Sequence, residues 1–163
     1  MKTPKPIPQE LLDALVYDET SPTCLRFREW SKGRRTNLQA GFIKKDTGYG
    51  MLSWGPRGSQ LRFLAHRVVW AMHHGDAVDM VVDHIDCNPS NNKLDNLQAI
   101  TFAENRSRQT GHGAYRSKDG RWYSQLSIRG KFHYLGRFDT EDEARAAYVK
   151  AKREATKGLQ VDL

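Results

Sequence analysis

Polar and apolar side chains alternate through residues 122–128: Trp122, Ser124, Leu126 and Ile128 fall on one face, with Arg121, Tyr123, Gln125 and Ser127 on the other. Arg129-Gly130-Lys131 reads as a turn into a second strand over residues 132–138. Asp139-Thr140 then caps a helix that is acidic in its first turn (Glu141, Asp142, Glu143) and basic later, as the helix dipole favours. Its narrow apolar stripe, Ala144, Ala147, Tyr148 and Ala151, suits close packing on a sheet. The pattern predicts a three-stranded antiparallel sheet backed by one helix. Upstream, residues 81–85 read as a short buried strand and residues 97–100 as its partner, joined by the turn residues Asn88-Pro89-Ser90-Asn91-Asn92. Thr101 and Glu104 make the capping-box pattern S/T-x-x-E, so a helix should start at Phe102 and carry Asn105 in its first turn. Residues 65–74 read as a helix with Gly75 at its C′ position.

The earlier part of the chain is more broken. Residues 24–30, 41–44, 49–54 and 61–64 are short β-type pieces between turn residues, and residues 9–16 predict a short helix through Leu11, Leu12 and Leu15. Residues 1–10 hold three prolines and read as a flexible arm. The predicted class is α+β, in three parts: a β-rich segment over 1–65, a central core over 66–108 and a C-terminal module over 109–163, with the best boundary at residues 109–113.

Charge sharpens this division. The 163 residues carry a net +7, yet residues 106–163 hold 13 Lys/Arg against 7 Asp/Glu, and residues 1–105 hold 13 against 12. A basic C-terminal third on a near-neutral body points to polyanion binding. The two cysteines, Cys24 and Cys87, lie far apart, which excludes a four-cysteine zinc site and suits reduced thiols in a cytoplasmic protein. No apolar run approaches a membrane span and residues 1–10 lack a signal-peptide h-region, so no membrane partner is expected.

The chemistry concentrates in the central core. Asp83 sits beside His84 at the end of an apolar strand, and Asn96 and Asn105 return across the asparagine-rich loop. An ionised Asp83 with a neutral Asn105 oxygen forms a hard donor pair suited to Mg²⁺ or Mn²⁺. His84 cannot point the same way as Asp83 on a regular strand, and its near-neutral intrinsic pKa suits a general base for an attacking water. Asn96 would orient the imidazole or anchor the loop. Together these groups suit phosphodiester cleavage.

Residues 66–106 resemble the HNH endonucleases of the His-Me finger (ββα-metal) superfamily, in the form found in phage and intron-encoded homing enzymes. The match is carried by His66-Arg67-Val68-Val69-Trp70, Val81-Val82-Asp83-His84-Ile85-Asp86, Asn91-Asn92-Lys93-Leu94-Asp95-Asn96-Leu97 and Glu104-Asn105. The resemblance implies His84 as general base, Asn96 as the middle asparagine, and Asp83 with Asn105 as ligands of one Mg²⁺ or Mn²⁺ per active site. Many members have histidine where this chain has Asn105. Asn91 and Asn92 are read as loop structure, His66 as a packing or capping residue, and His73 and His74 as solvent-facing. Arg67 is a candidate phosphate contact.

Residues 113–158 resemble an AP2/ERF-type DNA-binding domain through Gly113-Ala114-Tyr115-Arg116, Gly120-Arg121-Trp122-Tyr123, Tyr134-Leu135-Gly136-Arg137-Phe138-Asp139-Thr140 and Glu143-Ala144-Arg145-Ala146-Ala147-Tyr148. Such domains lay a sheet in the major groove, so Arg116, Lys118, Arg121, Tyr123, Gln125, Arg129 and Tyr134 are expected to face double-stranded DNA. Plant versions carry more arginines on the first strand than this chain does. In residues 1–65, Arg26, Arg28, Lys32, Arg34 and Arg35 either extend the DNA track or form a solvated hairpin face. The whole reads as a site-selective nicking or homing-type DNA endonuclease, monomeric on DNA, with a dimer or two separate events needed for a double-strand break. Its rivals are a non-catalytic DNA-binding regulator and an RNA-directed nuclease.

Overall fold

The computed structural model describes residues 5–28, 38–108, 113–128 and 131–159. The chain divides into two compact units, residues 1–84 with 88–99 and residues 85–87 with 100–163. The class is mixed α+β, with several small antiparallel sheets. Lys32, Arg34, Arg35 and Arg129 lie outside the described residues.

The first unit opens with α1 (Gln9–Asp13), and β1 (Leu15–Tyr17) pairs antiparallel with β2 (Leu25–Phe27). The helix expected over residues 9–16 is therefore shorter, because Leu15, Val16 and Tyr17 join a ladder with Phe27, Arg26 and Leu25. Leu11 and Leu15 are both fully buried, so the apolar spacing is satisfied by a helix–strand corner instead of a continuous helix. A three-stranded sheet follows in the order β3 (Phe42–Ile43), β4 (Gly50–Trp54), β5 (Leu61–Leu64). Next comes α2 (Ala65–His74), whose C-cap Gly75 has a positive φ of 83° that glycine adopts without strain. β6 (Val81–His84) and β7 (Leu97–Ile100) form a two-stranded sheet, with a 3₁₀ turn (Leu94–Asn96) leading into β7.

One apolar cluster holds this unit together. Leu11, Leu15, Leu25, Leu52, Val68 and Val69 are essentially without solvent exposure, and Phe63, Val82 and Leu97 join them. Each buried leucine or valine contributes about 1.5–3 kcal/mol relative to an exposed one. Polar ties bind the loops to this core. Leu94 N donates to Tyr17 Oη (3.0 Å), Tyr17 Oη donates to Glu19 Oε1 (2.8 Å), and Lys93 pairs with Glu19 (3.0 Å). Burial, with the Glu19 carboxylate adding to it, pushes the Tyr17 phenol up to about 12, so it stays protonated and keeps donating.

In the second unit, α3 (Phe102–Arg108) starts where the capping box places it. Glu104 N donates to Thr101 Oγ1 (3.2 Å), and Thr101 N donates back to Glu104 Oε2 (3.0 Å). The sheet runs in the order β10 (Lys131–Phe138), β9 (Trp122–Ile128), β8 (Ala114–Arg116), and α4 (Glu141–Leu159) packs against all three strands. Thr140 and Glu143 repeat the reciprocal cap at the start of α4. Ala144 and Tyr148 of α4 and Ser124 and Leu126 of β9 are all buried where the helix packs on the sheet. Gly113, at φ 77°, permits this approach: a Cβ there would stand 2.0 Å from the Tyr148 ring.

Candidate active site

β6 alternates as its sequence requires: Val82 and His84 are buried, while Val81 and Asp83 are half-exposed. Asp83 and His84 thus point to opposite sides of the strand. Across the ladder, Gln98 Nε2 donates to Asp83 Oδ2 at 2.9 Å and fixes the carboxylate. Asn96, also chosen from the sequence, is 1% exposed and donates from Nδ2 to Asn91 O at 2.9 Å, which fits the loop-anchoring role.

The imidazole of His84 is walled by residues from three separate parts of the unit. The His66 ring from α2 meets it edge-on, with centroids 4.7 Å apart at an interplanar angle of 69°. Tyr49, immediately before β4, lies 6.0 Å from His84 and 5.7 Å from His66. Asn92 Oδ1 lies 3.4 Å from His84 Nε2. Asn92 is fully buried, and its Nδ2 donates to Ser90 O at 3.2 Å, so the amide is oriented with its oxygen toward the imidazole. The amide oxygen can accept from Nε2 when that nitrogen carries the proton, so Asn92 bears directly on the orientation of the imidazole.

Gly50 makes this crowding possible. A Cβ at that position would stand 2.8 Å from Ala65 Cβ and 2.9 Å from Asn92 Nδ2. β4, the start of α2 and the asparagine loop converge there within van der Waals contact.

His66 is 4% exposed, and its Nδ1 has no hydrogen-bond partner among the described residues. Burial, reinforced by the charges of His84 and Arg67, pushes its pKa down to about 3. It is therefore neutral at physiological pH, which removes charge repulsion from the ring beside it. Both His66 and Asn92 sit against His84, although the sequence offered them only as packing and loop structure. His66 had one legible signal, since it lies three residues before Val69 and so shares the buried stripe of α2. Asn92 had none.

The remaining sequence-chosen residues are more dispersed. Asn105 is carried by α3 in the second unit, where its N–H donates to Thr101 O at 3.0 Å. Arg67 is engaged within the first unit: its guanidinium pairs with Asp76 at 2.8 Å and donates to Lys5 O at 3.2 Å. His73 and His74 are exposed, His73 lying edge-on to Tyr17 at 5.2 Å. On the sheet of the second unit, Tyr123, Gln125 and Tyr134 share one face, since Tyr134 pairs with Gln125. Arg116 pairs with Trp122 and falls on the other parity, at the end of its strand; Lys118 and Arg121 occupy the connection between β8 and β9. All three of these cations are exposed.

Among the described residues no three His, Cys, Asp or Glu side chains cluster as a metal site. A Mg²⁺-type site does not need such a cluster, because this ion commonly takes one or two carboxylates and completes its shell with water and substrate phosphate. The half-exposed Asp83 carboxylate, held by Gln98, fits a hard cation of that kind. No helix among the described residues is long and apolar enough to cross a membrane. No curated protein and no solved structure matches the chain. Residues 63–107, from the end of β5 through α2, β6 and β7 into α3, match the family model of HNH endonucleases and support an HNH nuclease acting on DNA.

Proposed function

We propose that the protein is a divalent-metal-dependent DNA endonuclease of the HNH kind that nicks one strand site-selectively, with His84 as its general base. The observation that carries this reading is the built environment of His84: a buried imidazole, an oriented amide oxygen on Nε2, and a neutral histidine and a tyrosine walling the ring. A buried histidine serving only as packing needs none of that.

On this reading the His84 imidazole takes a proton from water as the water oxygen attacks phosphorus. The phosphorus–O3′ bond breaks and the departing oxygen takes up a proton from solvent, leaving 5′-phosphate and 3′-hydroxyl ends. Asn92 orients the imidazole, Asn96 fixes the loop that carries Asn92, and Asp83 would be the carboxylate ligand of Mg²⁺ or Mn²⁺. Asn105 is the second oxygen donor by its place in the motif. The metal, when bound, stabilises charge on the phosphate and the departing oxygen. The sheet of β8–β10 holds the DNA, as its basic side chains and its AP2-like sequence pattern suggest.

The test is nicking of supercoiled plasmid with and without Mg²⁺. His84→Ala should lower the rate by at least about 10²–10⁴-fold, the usual contribution of a general base, while DNA binding persists. Normal cutting by that variant would remove the assignment.

A further inference from the structure

Two of the most exposed large apolar residues among the described positions are neighbours on one strand: Phe132 (68%) and Tyr134 (63%), both on β10. Register puts them on a common face. Phe132 pairs with Ser127 and Tyr134 with Gln125, and that parity of β9 includes Tyr123, opposite Arg137 and Tyr115. Tyr115 and Tyr123 stack at 5.4 Å with an interplanar angle of 25°. The other parity of β9 carries Ser124 and Leu126, buried with Ala144 and Tyr148 of α4. The face away from that core therefore carries rings from all three strands, Phe132 and Tyr134 exposed and Tyr115 and Tyr123 half-buried, while Ser127 opposite Phe132 is itself buried. Exposing a phenylalanine this fully has no folding benefit.

Cations outnumber carboxylates around the rings: Arg137 stands in the Tyr115–Tyr123 row, where it pairs with Asp119 at 3.1 Å, and Arg116, Lys118 and Arg121 lie exposed at the β8–β9 end. Spacing then selects the ligand. Alternate residues on a strand are about 6.8 Å apart. That is about twice the 3.4 Å separation of stacked bases in duplex DNA. Rings set this far apart do not match a closed base stack, but they do accept bases that have been splayed out of one, each lying on its own ring.

We propose that this sheet face binds single-stranded DNA by stacking unpaired bases on Phe132 and Tyr134, with Arg137 and the neighbouring cations drawing in the backbone. The inference rests on reading the protein as a DNA endonuclease and names the form of DNA that its second unit engages. A nicking enzyme that also holds an unpaired strand would favour sites where the duplex is already open.

The test is fluorescence anisotropy of the full chain with a labelled oligothymidine strand and with a hairpin duplex. Phe132→Ser with Tyr134→Ser should lower the ratio of single-strand to duplex affinity about tenfold or more. Phe132→Trp with Tyr134→Phe, which keeps the rings, should preserve it. An equal loss on both substrates would place the face in a duplex groove, and no loss on either would remove it from DNA altogether; each result overturns the proposal. Failure of the endonuclease reading would show separately, as an absence of plasmid nicking by the unaltered protein.

Discussion

At the scale of single residues, two of the groups around His84 respond differently to substitution. Asn92→Ala removes the acceptor facing Nε2 while leaving the ring in place. It should cut kcat for nicking by about tenfold or more with little change in KM, since the amide acts on proton transfer and touches no substrate. His66→Phe keeps a ring in the same space and reports on acid stability instead. The pKa of His66 is depressed in the folded chain, so the unfolded chain binds a proton that the folded one refuses. Its contribution is complete above the ordinary histidine range near 6.5, and it is lost as pH falls from there toward about 3. Urea midpoints should therefore drop on going from neutral pH to pH of about 5. The Phe variant should show a shallower drop, and equal slopes would contradict a neutral buried His66. Burial also raises the Cys24 thiol, to about 11, so thiol reagents should leave this cysteine unmodified in the folded protein.

These residues explain what could and could not be read in the sequence. Asp83 and His84 are legible because strand alternation fixes their relation without any tertiary knowledge. Asn92 is not, because a buried amide in a turn-rich loop carries no periodicity, and turn chemistry accounts for its composition equally well. Its burial depends on a glycine more than forty positions earlier, a fact of packing alone. Tyr49 is hidden for the same reason.

Elements were more legible than contacts. Both capping boxes start their helices where the pattern places them, because the reciprocal hydrogen bonds are local. Thr140→Ala should remove one of those bonds at the start of α4 and lower stability by about 1 kcal/mol, measurable by thermal melting. An unchanged melt would mean that the cap adds nothing to the packing of α4. Strand β1 escaped the pattern, since Leu11, Leu12 and Leu15 fit a helical stripe and only pairing with β2 turns Leu15 away from it. The junction of β4, α2 and the asparagine loop is the element-scale feature that packs Asn92 beside His84. Gly50→Ala should force those three pieces apart, lowering stability by about 1–3 kcal/mol and nicking with it. Retained stability and activity would show that the junction yields without disturbing His84.

On the scale of the whole molecule, charge decides how the protein meets DNA. The excess of cations lies in residues 106–163, so affinity should fall steeply as salt rises. Changing Arg116, Lys118 and Arg121 together to alanine should flatten the slope of log affinity against log salt. An unaltered slope would place the phosphate contacts elsewhere.

The path of the chain between the units bears on every attempt to take the protein apart. Residues 85–87 belong with the C-terminal unit although residues on either side of them belong to the first, and the chain returns to the second unit only at Ile100. The backbone is stitched through both units, so no single cut separates them. Deleting residues 109–163 would remove most of one unit and strip Ile85 and Cys87 of their companions, only one residue from His84. Loss of activity in such a fragment would be uninformative about DNA recognition. Dividing labour between cleavage and binding therefore calls for point substitutions in an intact chain, and natural exchange of the C-terminal module would have to preserve the seam at residues 85–87.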